Sequence, residues 1–453
     1  MTCAAPAPAT ACRRCARPAA RPTPPSSSSS TDLSRRASHR PTRGAAPRGD
    51  PRRPHPTPAR RPTLTHPHRI RRTLAGIAVA ALALTGCGEI TSSGTPVTES
   101  QAGHHANGLP KATVWTGYGV GTSNYSEQAA VAEALIKEYD TQVRILGSDT
   151  GVGRLTPLRT GQAQTARLSD EAFYAFEGKY EFVSPDWGPQ DLRTYWTPPT
   201  TVAVGVAGNS GIETLADLEG KRVPWMAANP SSQEKIMGIL AYAGLTPDDV
   251  VKVPVEYGAQ PEMFKNGGLD MVYFGAQSSA IIEVATQMDY RWVDFDGDAE
   301  AEKRLQEYAP SVVIEEFESA VGMEDTVKHG PTYAIQMTTY ADFSVDEVYA
   351  MVKTFHEAYP LYADATATTK DWKFEDIDWM PMVLPHHDGL VKYLEEQGLW
   401  TPEHEERNQL LIERGETLRA GWPEVLETTP EDELAETWEQ WKAEHAPHIP
   451  RED

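Results

Sequence analysis

The chain has 453 residues, which is enough for two or three domains, and its formal net charge is −22. Residues 1–86 contain 16 arginines and two acidic residues, so residues 87–453 carry a net charge of −36. A part this acidic repels polyanions, which excludes nucleic-acid binding and adsorption to an anionic lipid surface as its functions.

The first 86 residues have the composition of a leader. Residues 1–63 are rich in Pro, Arg, Ser and Ala, and we predict that they are disordered because they contain too little apolar surface to bury. Residues 64–86 read as a signal peptide, with a basic start followed by an apolar run from Leu74 to Leu84. This run is too short to span a bilayer. An ordinary buried hairpin is the alternative.

The signal peptide ends in Leu84-Thr85-Gly86-Cys87, which resembles the lipobox of bacterial lipoproteins. The resemblance implies that Cys87 becomes the lipidated first residue and holds the protein at the outer face of the cell membrane. Since Cys87 is the only cysteine after the leader, the mature chain has no disulfide. Residues 87–110 are polar and are predicted to be a flexible tether, with His104 and His105 a solvated pair.

A strand, "KATVWTG", leads into the glycine-rich loop "YGVGTSNY" and then into an alanine-rich helix. Val131, Leu135 and Tyr139 share one face of this helix, and Asn124 or Ser126 is expected to cap it. Glycines before a helix often hold a phosphate. Here the Lys-Ser/Thr of a nucleotide-binding P-loop is missing, so the loop is predicted to bind another solute.

Strands and helices continue to alternate along the chain. "TQVRIL" and "QTARLS" are predicted strands, and a second block follows with the strands "TVAVGVA", "KRVPWM", "VVKVPV" and "GLDMVYFG". Residues 212–219 and "QPEMFKNG" are predicted short helices, and Asn229 or Ser231 opens a longer one. A last strand is placed near residue 335, before an amphipathic helix. The alternation predicts an α/β fold with two lobes and parallel sheets covered by helices.

The predicted organisation is lobe I over 111–200, lobe II over 201–331 and a return to lobe I over 332–400. Residues 401–453 form acidic helices with Leu and Trp stripes. We expect these helices to wrap the first lobe, and an interaction tail is the alternative.

Four stretches carry a resemblance to a known family. They are the first glycine loop, "SDTGVGRLTPLRTGQA", "TLADLEGKRVPWMAANPSSQ" and "AGLTPDDVVKVPVEYGAQPEMFKNGGLDMVYFGAQ". In this order they are similar to the TAXI-type solute-binding proteins of tripartite ATP-independent periplasmic (TRAP) transporters, over roughly residues 111–400. The resemblance implies a two-lobed, type 2-like periplasmic-binding-protein fold with hinge crossovers near 198–202 and 331–336. It further implies a small carboxylate solute such as glutamate or 2-oxoglutarate, and membrane-embedded transporter subunits as partners.

The chain departs from the family pattern at three places. Pro157 lies within the second helix, which is therefore expected to begin late, with Thr156 as its cap. "FGAQSS" lacks the proline-bearing turn that is usual after this strand, and Arg167 replaces an apolar strand residue. These departures bear on the identity of the ligand more than on the fold.

Each predicted loop follows a strand and opens a helix. The free N–H groups at a helix start favour anions. Open α/β sheets bind ligands at the carboxyl ends of their strands. The predicted ligand-binding residues are Gly119, Thr122, Ser123, Asn124, Tyr125, Thr150, Gly151, Val152, Arg167, Asn229, Ser231, Ser232, Tyr257, Gly275, Ala276 and Gln277. The alternative is that the small polar residues only cap helices. Tyr118, Tyr125, Trp225 and Tyr257 either stack on a ligand or form wall and core.

Arg167 is the sharpest single candidate, because a guanidinium in the cleft would hold a carboxylate through two hydrogen bonds. An outward-facing Arg167 paired with Asp170 or Glu171 is the alternative. His386, His387 and Asp388 resemble a structural stretch of the family, so neither a metal nor a cofactor is expected.

The leading functional hypothesis is therefore a lipid-anchored receptor that captures a solute and delivers it to a transporter. A lipoprotein that presents its ligand to a receptor kinase is the alternative, and neighbouring genes would separate the two. An enzyme is not expected, because the chain has no Gly-x-Ser-x-Gly elbow, no His-Glu-x-x-His helix and no mature cysteine beyond Cys87.

Overall fold

The computed structural model describes residues 96–450 except 297, 319, 324, 325 and 382. The chain divides into a unit over Met1–Thr85 and a unit over Gly86–Asp453, and everything described below belongs to the second. The predictions for the leader, the signal peptide and Cys87 therefore lie outside the described residues. None of the helices between residues 96 and 450 combines the length and apolarity needed to cross a membrane.

The first lobe begins with alternating strands and helices. Its elements are β1 (Ala112–Gly117), α1 (Ser123–Tyr139), β2 (Gln142–Gly147), α2 (Gly151–Arg159), β3 (Thr165–Leu168), α3 (Asp170–Glu177) and β4 (Leu192–Trp196). Strand β1 pairs in parallel with β2 on one side and with β3 on the other. The strand–helix alternation of the sequence thus produces parallel pairs, as predicted.

In the described part of the chain, lobe II follows with seven strands and four α-helices. They are β5 (Pro199–Ala207), β6 (Arg222–Trp225), α4 (Pro230–Tyr242), β7 (Val251–Pro254), α5 (Gln260–Lys265), β8 (Met271–Gly275), α6 (Ser279–Gln287), β9 (Tyr290–Trp292), α7 (Ala299–Tyr308), β10 (Val313–Phe317) and β11 (Lys328–Ala334). Strands β6 and β7 are parallel, but β5 is antiparallel to β8, β9 and β11. The prediction of parallel sheets is therefore wrong for the centre of this lobe, because β5 is the strand that enters from lobe I.

The chain returns to lobe I at Ile335. The single strand predicted near this residue is two strands, β11 in lobe II and β12 (Gln336–Tyr340) in lobe I. Strand β12 lies between β3 and β4 and is antiparallel to both, which gives the sheet order β2-β1-β3-β12-β4. Two crossovers, β4 to β5 and β11 to β12, join the lobes. The predicted two-lobed α/β fold with crossovers is confirmed.

The remaining helices cover lobe I. They are α8 (Val345–Glu357), α9 (Tyr359–Tyr362), α10 (Asp388–Glu396), α11 (Pro402–Thr428) and α12 (Leu434–His445). Trp438 of α12 is fully buried and donates to Glu177 O at 2.8 Å, and Arg414 of α11 forms two hydrogen bonds with the Glu177 carboxylate. The acidic C-terminal helices therefore wrap the first lobe, as expected.

Residues 96–110 also pack on lobe I. Ser100 is buried, and its N–H donates to Glu347 Oε2 on α8 at 3.0 Å. His104 Nε2 lies 2.8 Å from the same carboxylate oxygen, and Leu109 is fully buried. The prediction of a flexible tether through residue 110 is therefore wrong for residues 96–110, and His104 is exposed as predicted but also contacts Glu347.

Two predicted helix starts are also wrong. Helix α1 is capped by Thr122, whose hydroxyl accepts from Tyr125 N at 3.1 Å, and not by Asn124 or Ser126. Helix α2 is capped by Thr150, which accepts from Gly153 N at 3.0 Å, so Pro157 lies inside the helix instead of at its start. Pro157 removes one backbone bond, and the helix ends two residues later at Arg159.

Candidate functional site

The first and fourth predicted loops contact each other between the lobes. Ser123 N, at the start of α1 in lobe I, donates to Ser278 Oγ of lobe II at 3.1 Å. Ala280 N donates to Gly121 O at 3.2 Å. Gly275 ends β8 here, and a Cβ on it would lie 2.8 Å from Ser123 Oγ. A side chain at 275 would therefore force Ser123 and Ser278 to shift where the two lobes approach each other.

The second and third loops form another contact between the lobes. Asn229 caps α4 by accepting from Ser232 N at 3.1 Å, and its Nδ2 donates to Asp149 O at 2.8 Å. Gly258 N of lobe II donates to Asp149 Oδ2 at 3.2 Å. The four loops selected from the sequence thus meet in two pairs across one seam, which we call the inter-lobe seam.

The predicted site residues take different places around this seam. The side chains of Thr122, Thr150 and Asn229 all cap helices, as the cap-only alternative expected, and Asn229 also spans the seam. Tyr257 is buried, stacks on Phe274 and contacts the Tyr118 ring across the lobes. Val152 packs into the lobe I core, away from the seam. Six further predicted ligand-binding residues lie in the same loops: Gly119, Asn124, Tyr125, Gly151, Ser231 and Ser232.

Two charged side chains that the sequence reading missed are buried beside the seam. Arg154 of α2 is fully buried, pairs with Glu171 and places its guanidinium 3.9 Å from the centre of the Tyr118 ring. Lys235 of α4 is 1% exposed and contacts Asp170 of lobe I at 2.5 Å. Arg154 and Lys235 each precede a buried aliphatic residue by four positions, which places them on inward helix faces and is the signal that would have found them.

The ionisation of these groups follows from their burial and their partners. Burial is the largest influence on Glu171 and opposes its charged form, but Arg154, backbone N–H groups and Lys235 together outweigh it and hold the pKa of Glu171 below its usual value. Burial raises the pKa of nearby Glu181 to about 7. Asn124 Oδ1 and Arg154 Nε are buried and have no hydrogen-bond partner among residues 96–450 as described. The seam therefore combines fixed charges with unused hydrogen-bonding atoms.

Arg167 points inward, and its partners are not those of the outward-facing alternative. It is fully buried, and its Nη2 contacts Glu127 Oε2 of α1 at 2.5 Å. Its Nη1 donates to Asn124 O at 2.9 Å, and its Nε to Ile335 O at the crossover at 3.4 Å. The outward pairing with Asp170 or Glu171 is wrong. Contact of Arg167 with a solute carboxylate stays a prediction. In this structure its guanidinium forms an ion pair with Glu127.

Ala276 and Gln277 line a cavity between the lobes, next to the crossovers. Its volume is about 470 Å³, and its wall includes Thr200, Thr201 and Thr332 of lobe II with Lys370 and Asp371 of lobe I. Burial raises the pKa of Asp371 to about 6. This cavity is a second region where the two lobes present polar groups to each other.

His386 and His387 are buried in lobe I. His387 Nδ1 caps α10 by accepting from Gly389 N at 3.1 Å, and its Nε2 lies 3.1 Å from Phe343 O, which assigns the proton to Nε2. Trp379 O lies 2.8 Å from His386 Nε2. Across the described residues, no three or more His, Cys, Asp or Glu side chains are grouped to hold a metal ion.

His387 should make the stability of the protein depend on pH. Burial lowers its pKa from 6.5 to about 4, so the unfolded chain takes up a proton at a higher pH than the folded protein does. Stability should therefore fall as the pH drops from about 6.5 to 4. His387→Asn keeps an oxygen for the Gly389 N–H but does not titrate. In urea unfolding at pH 7 and pH 4, this variant should lose about 2–3 kcal/mol less than the wild type. Equal losses would assign the pH dependence to another group.

The chain is similar to several proteins of known structure. Among solved structures, the chain is similar to the alkanesulfonate-binding protein of Xanthomonas axonopodis pv. citri bound to MOPS, with 12% identity, 65% of this chain and 96% of that chain covered, and a TM-score of 0.37. It is also similar to the periplasmic aliphatic sulphonate-binding protein of Escherichia coli, with 15% identity, coverage of 74% and 91%, and a TM-score of 0.36.

The sequence itself matches a family model. The match runs over residues 116–398, from the first glycine loop to the end of lobe I before α11, and includes both lobes and both crossovers. It spans more than half of the 453 residues, and the chain therefore belongs to the NMT1-like family.

Proposed function

We propose that the protein binds a small solute outside the cytoplasm by closing its two lobes around it, and passes the solute to a membrane transporter. One observation carries this proposal. The polar helix starts of α1, α2 and α4 and the loop before α6 meet between two lobes that are joined by the β4–β5 and β11–β12 crossovers. No catalytic step is part of the proposal.

The chemistry of the seam favours a carboxylate solute such as glutamate or 2-oxoglutarate. Helix N-termini offer N–H groups and a positive dipole end, which attract carboxylates. Arg154 adds positive charge beside the seam, while Asp149 and Glu171 suit an ammonium group. An acid that also carries an amino group, such as glutamate, would use both kinds of partner.

Lobe closure supplies the link between binding and delivery. A solute that contacts loops of both lobes stabilises the closed arrangement more than the open one, and so shifts the equilibrium towards closure. The crossovers at residues 197–198 and at Ile335 are the connections that would flex. A transporter that recognises the closed form would then receive loaded protein in preference to empty protein.

The partner and the anchor are proposed from the sequence. The four stretches similar to TAXI-type proteins support a TRAP-type transporter as the partner. The lipobox-like run ending at Cys87 supports lipid anchoring at the outer face of the membrane.

A thermal-shift screen tests the proposed function. Purified protein is melted with L-glutamate, 2-oxoglutarate, other organic acids and amino acids, and with ATP as a negative control. A true solute at about 100 times its Kd should stabilise the protein by about 2.7 kcal/mol, and ATP should give no shift. If no acid or amino acid gave a saturable shift, the proposed solute class would be wrong.

A further inference from the structure

A buried ion pair joins the two lobes beside the inter-lobe seam. Lys235 Nζ of lobe II lies 2.5 Å from Asp170 Oδ2 at the start of α3 in lobe I. Asp170 Oδ1 accepts from Ser311 Oγ of lobe II at 2.7 Å. We propose that Asp170, Lys235 and Ser311 form a latch that holds the lobes together and thereby sets solute affinity without touching the solute. This inference rests on the proposed function only for its effect on affinity.

Groups from both lobes surround the Lys235 ammonium when the lobes are in contact. Its ammonium lies 3.3 Å from Ser169 Oγ and 3.2 Å from Ser231 Oγ, and 4.3 Å from the centre of the Tyr333 ring. A buried ion pair stabilises a structure only when further hydrogen bonds satisfy its remaining polar atoms. Here both carboxylate oxygens of Asp170 and the ammonium of Lys235 have such partners, and these come from both lobes.

The removal of Lys235 from its pair with Asp170 has a different effect when the lobes are apart than when they are closed. When the lobes are apart, Asp170 and Lys235 are each solvated by water. When the lobes are closed, the removal of Lys235 leaves Asp170 buried with only Ser311 as a partner, which strongly disfavours the closed state. Lys235→Met therefore penalises the closed state selectively. Ion pairs within one lobe, such as Arg414 with Glu177, stay together in both states.

The experiment measures the distance between the lobes with no solute added. Exposed Lys137 on α1 and Lys303 on α7 are replaced by Cys and spin-labelled, in the full chain with its four native cysteines changed to Ser. Lys235→Met and Asp170→Asn should shift the distribution to longer distances than in the labelled wild type. Arg414→Met is the matched control, and it should lower the melting temperature while leaving the distances unchanged.

The double variant decides whether the pair stabilises closure or is only tolerated in it. Asp170→Asn with Lys235→Met leaves no buried unpaired charge, so it should be less open than Lys235→Met but more open than the wild type. Distances equal to those of the wild type would overturn the latch. If Lys235→Met does not fold, Ser311→Ala removes one bond of the latch and should still lengthen the mean distance. Unchanged distances in Ser311→Ala would then overturn the proposal.

The effect on affinity is measured separately, with L-glutamate as the probe. If L-glutamate binds the wild type, Lys235→Met should raise its Kd at least about tenfold, because part of the binding free energy must now close the lobes. The Arg414→Met control should keep the wild-type Kd. If L-glutamate binds neither protein while the latch variants open, the proposed solute is wrong and the latch stands. An unchanged Kd in an opened variant would overturn its role in affinity.

Discussion

Ser123→Trp should abolish solute binding and the thermal stabilisation that accompanies it. Ser123 is buried at the first position of α1, where its N–H bonds to Ser278 of the other lobe. Its Oγ lies so close to Gly275 that a Cβ there would already be too near, and an indole needs far more room. The lobes must then stay apart, and the stabilisation of about 2.7 kcal/mol expected at 100 times Kd should disappear. Calorimetric titration of the solute found in the screen measures the loss directly.

The matched control for this variant is Glu133→Trp, on the same helix but on its exposed face. It adds the same indole and should bind solute like the wild type. A full stabilisation in Ser123→Trp, or a melting shift with ATP in the wild type, would show that the first glycine loop has been misread.

Arg167→Met should destabilise the fold by about 3–5 kcal/mol, because it leaves Glu127 buried without its ion pair. The loss should extend beyond the pair. Glu127 also accepts from Trp372 Nε1 at 2.9 Å and from Thr368 Oγ1 at 2.6 Å, so the cavity wall formed by residues 367–371 depends on the same carboxylate. Urea unfolding without solute measures the change in free energy.

The double variant Arg167→Met with Glu127→Gln is the control, since it removes both charges and should cost less than the two single changes added together. If Arg167 instead held a solute carboxylate, as the sequence analysis predicts, its loss would weaken solute binding by about 2–5 kcal/mol with little loss of fold. Unchanged unfolding free energy together with weak solute binding would favour that earlier reading.

Local patterns were sufficient for most elements. The alternation in "KATVWTG" and the continuous apolar run in "GLDMVYFG" predicted β1 and β8, and both strands form. Asn229 was one of two predicted caps for α4 and is the residue that caps it. The position of a small polar residue before an apolar helical pattern is a local property, so a helix cap can be predicted without the rest of the fold.

Local sequence patterns gave wrong predictions in two situations. In one, two residues could each cap the same helix; in the other, a residue distant in sequence determines the contact. Thr122 caps α1 in place of Asn124, because the helix begins two residues earlier than the helical pattern suggests. Ser100 and His104 read as tether residues, yet Glu347, far away in the sequence, holds them on α8. No local window contains both partners of such a contact.

The sequence by itself determined the α/β class, the two lobes and the four loops that meet between them, because strand and helix periods and helix caps are written in neighbouring residues. Only the tertiary structure decided the partner of Arg167, the place of β12 between β3 and β4, and the pairing of Asp170 with Lys235. Each of these joins residues far apart in the chain. The partner of a buried charge is chosen by which groups the folded chain brings within a few ångströms, and sequence spacing carries no such distance.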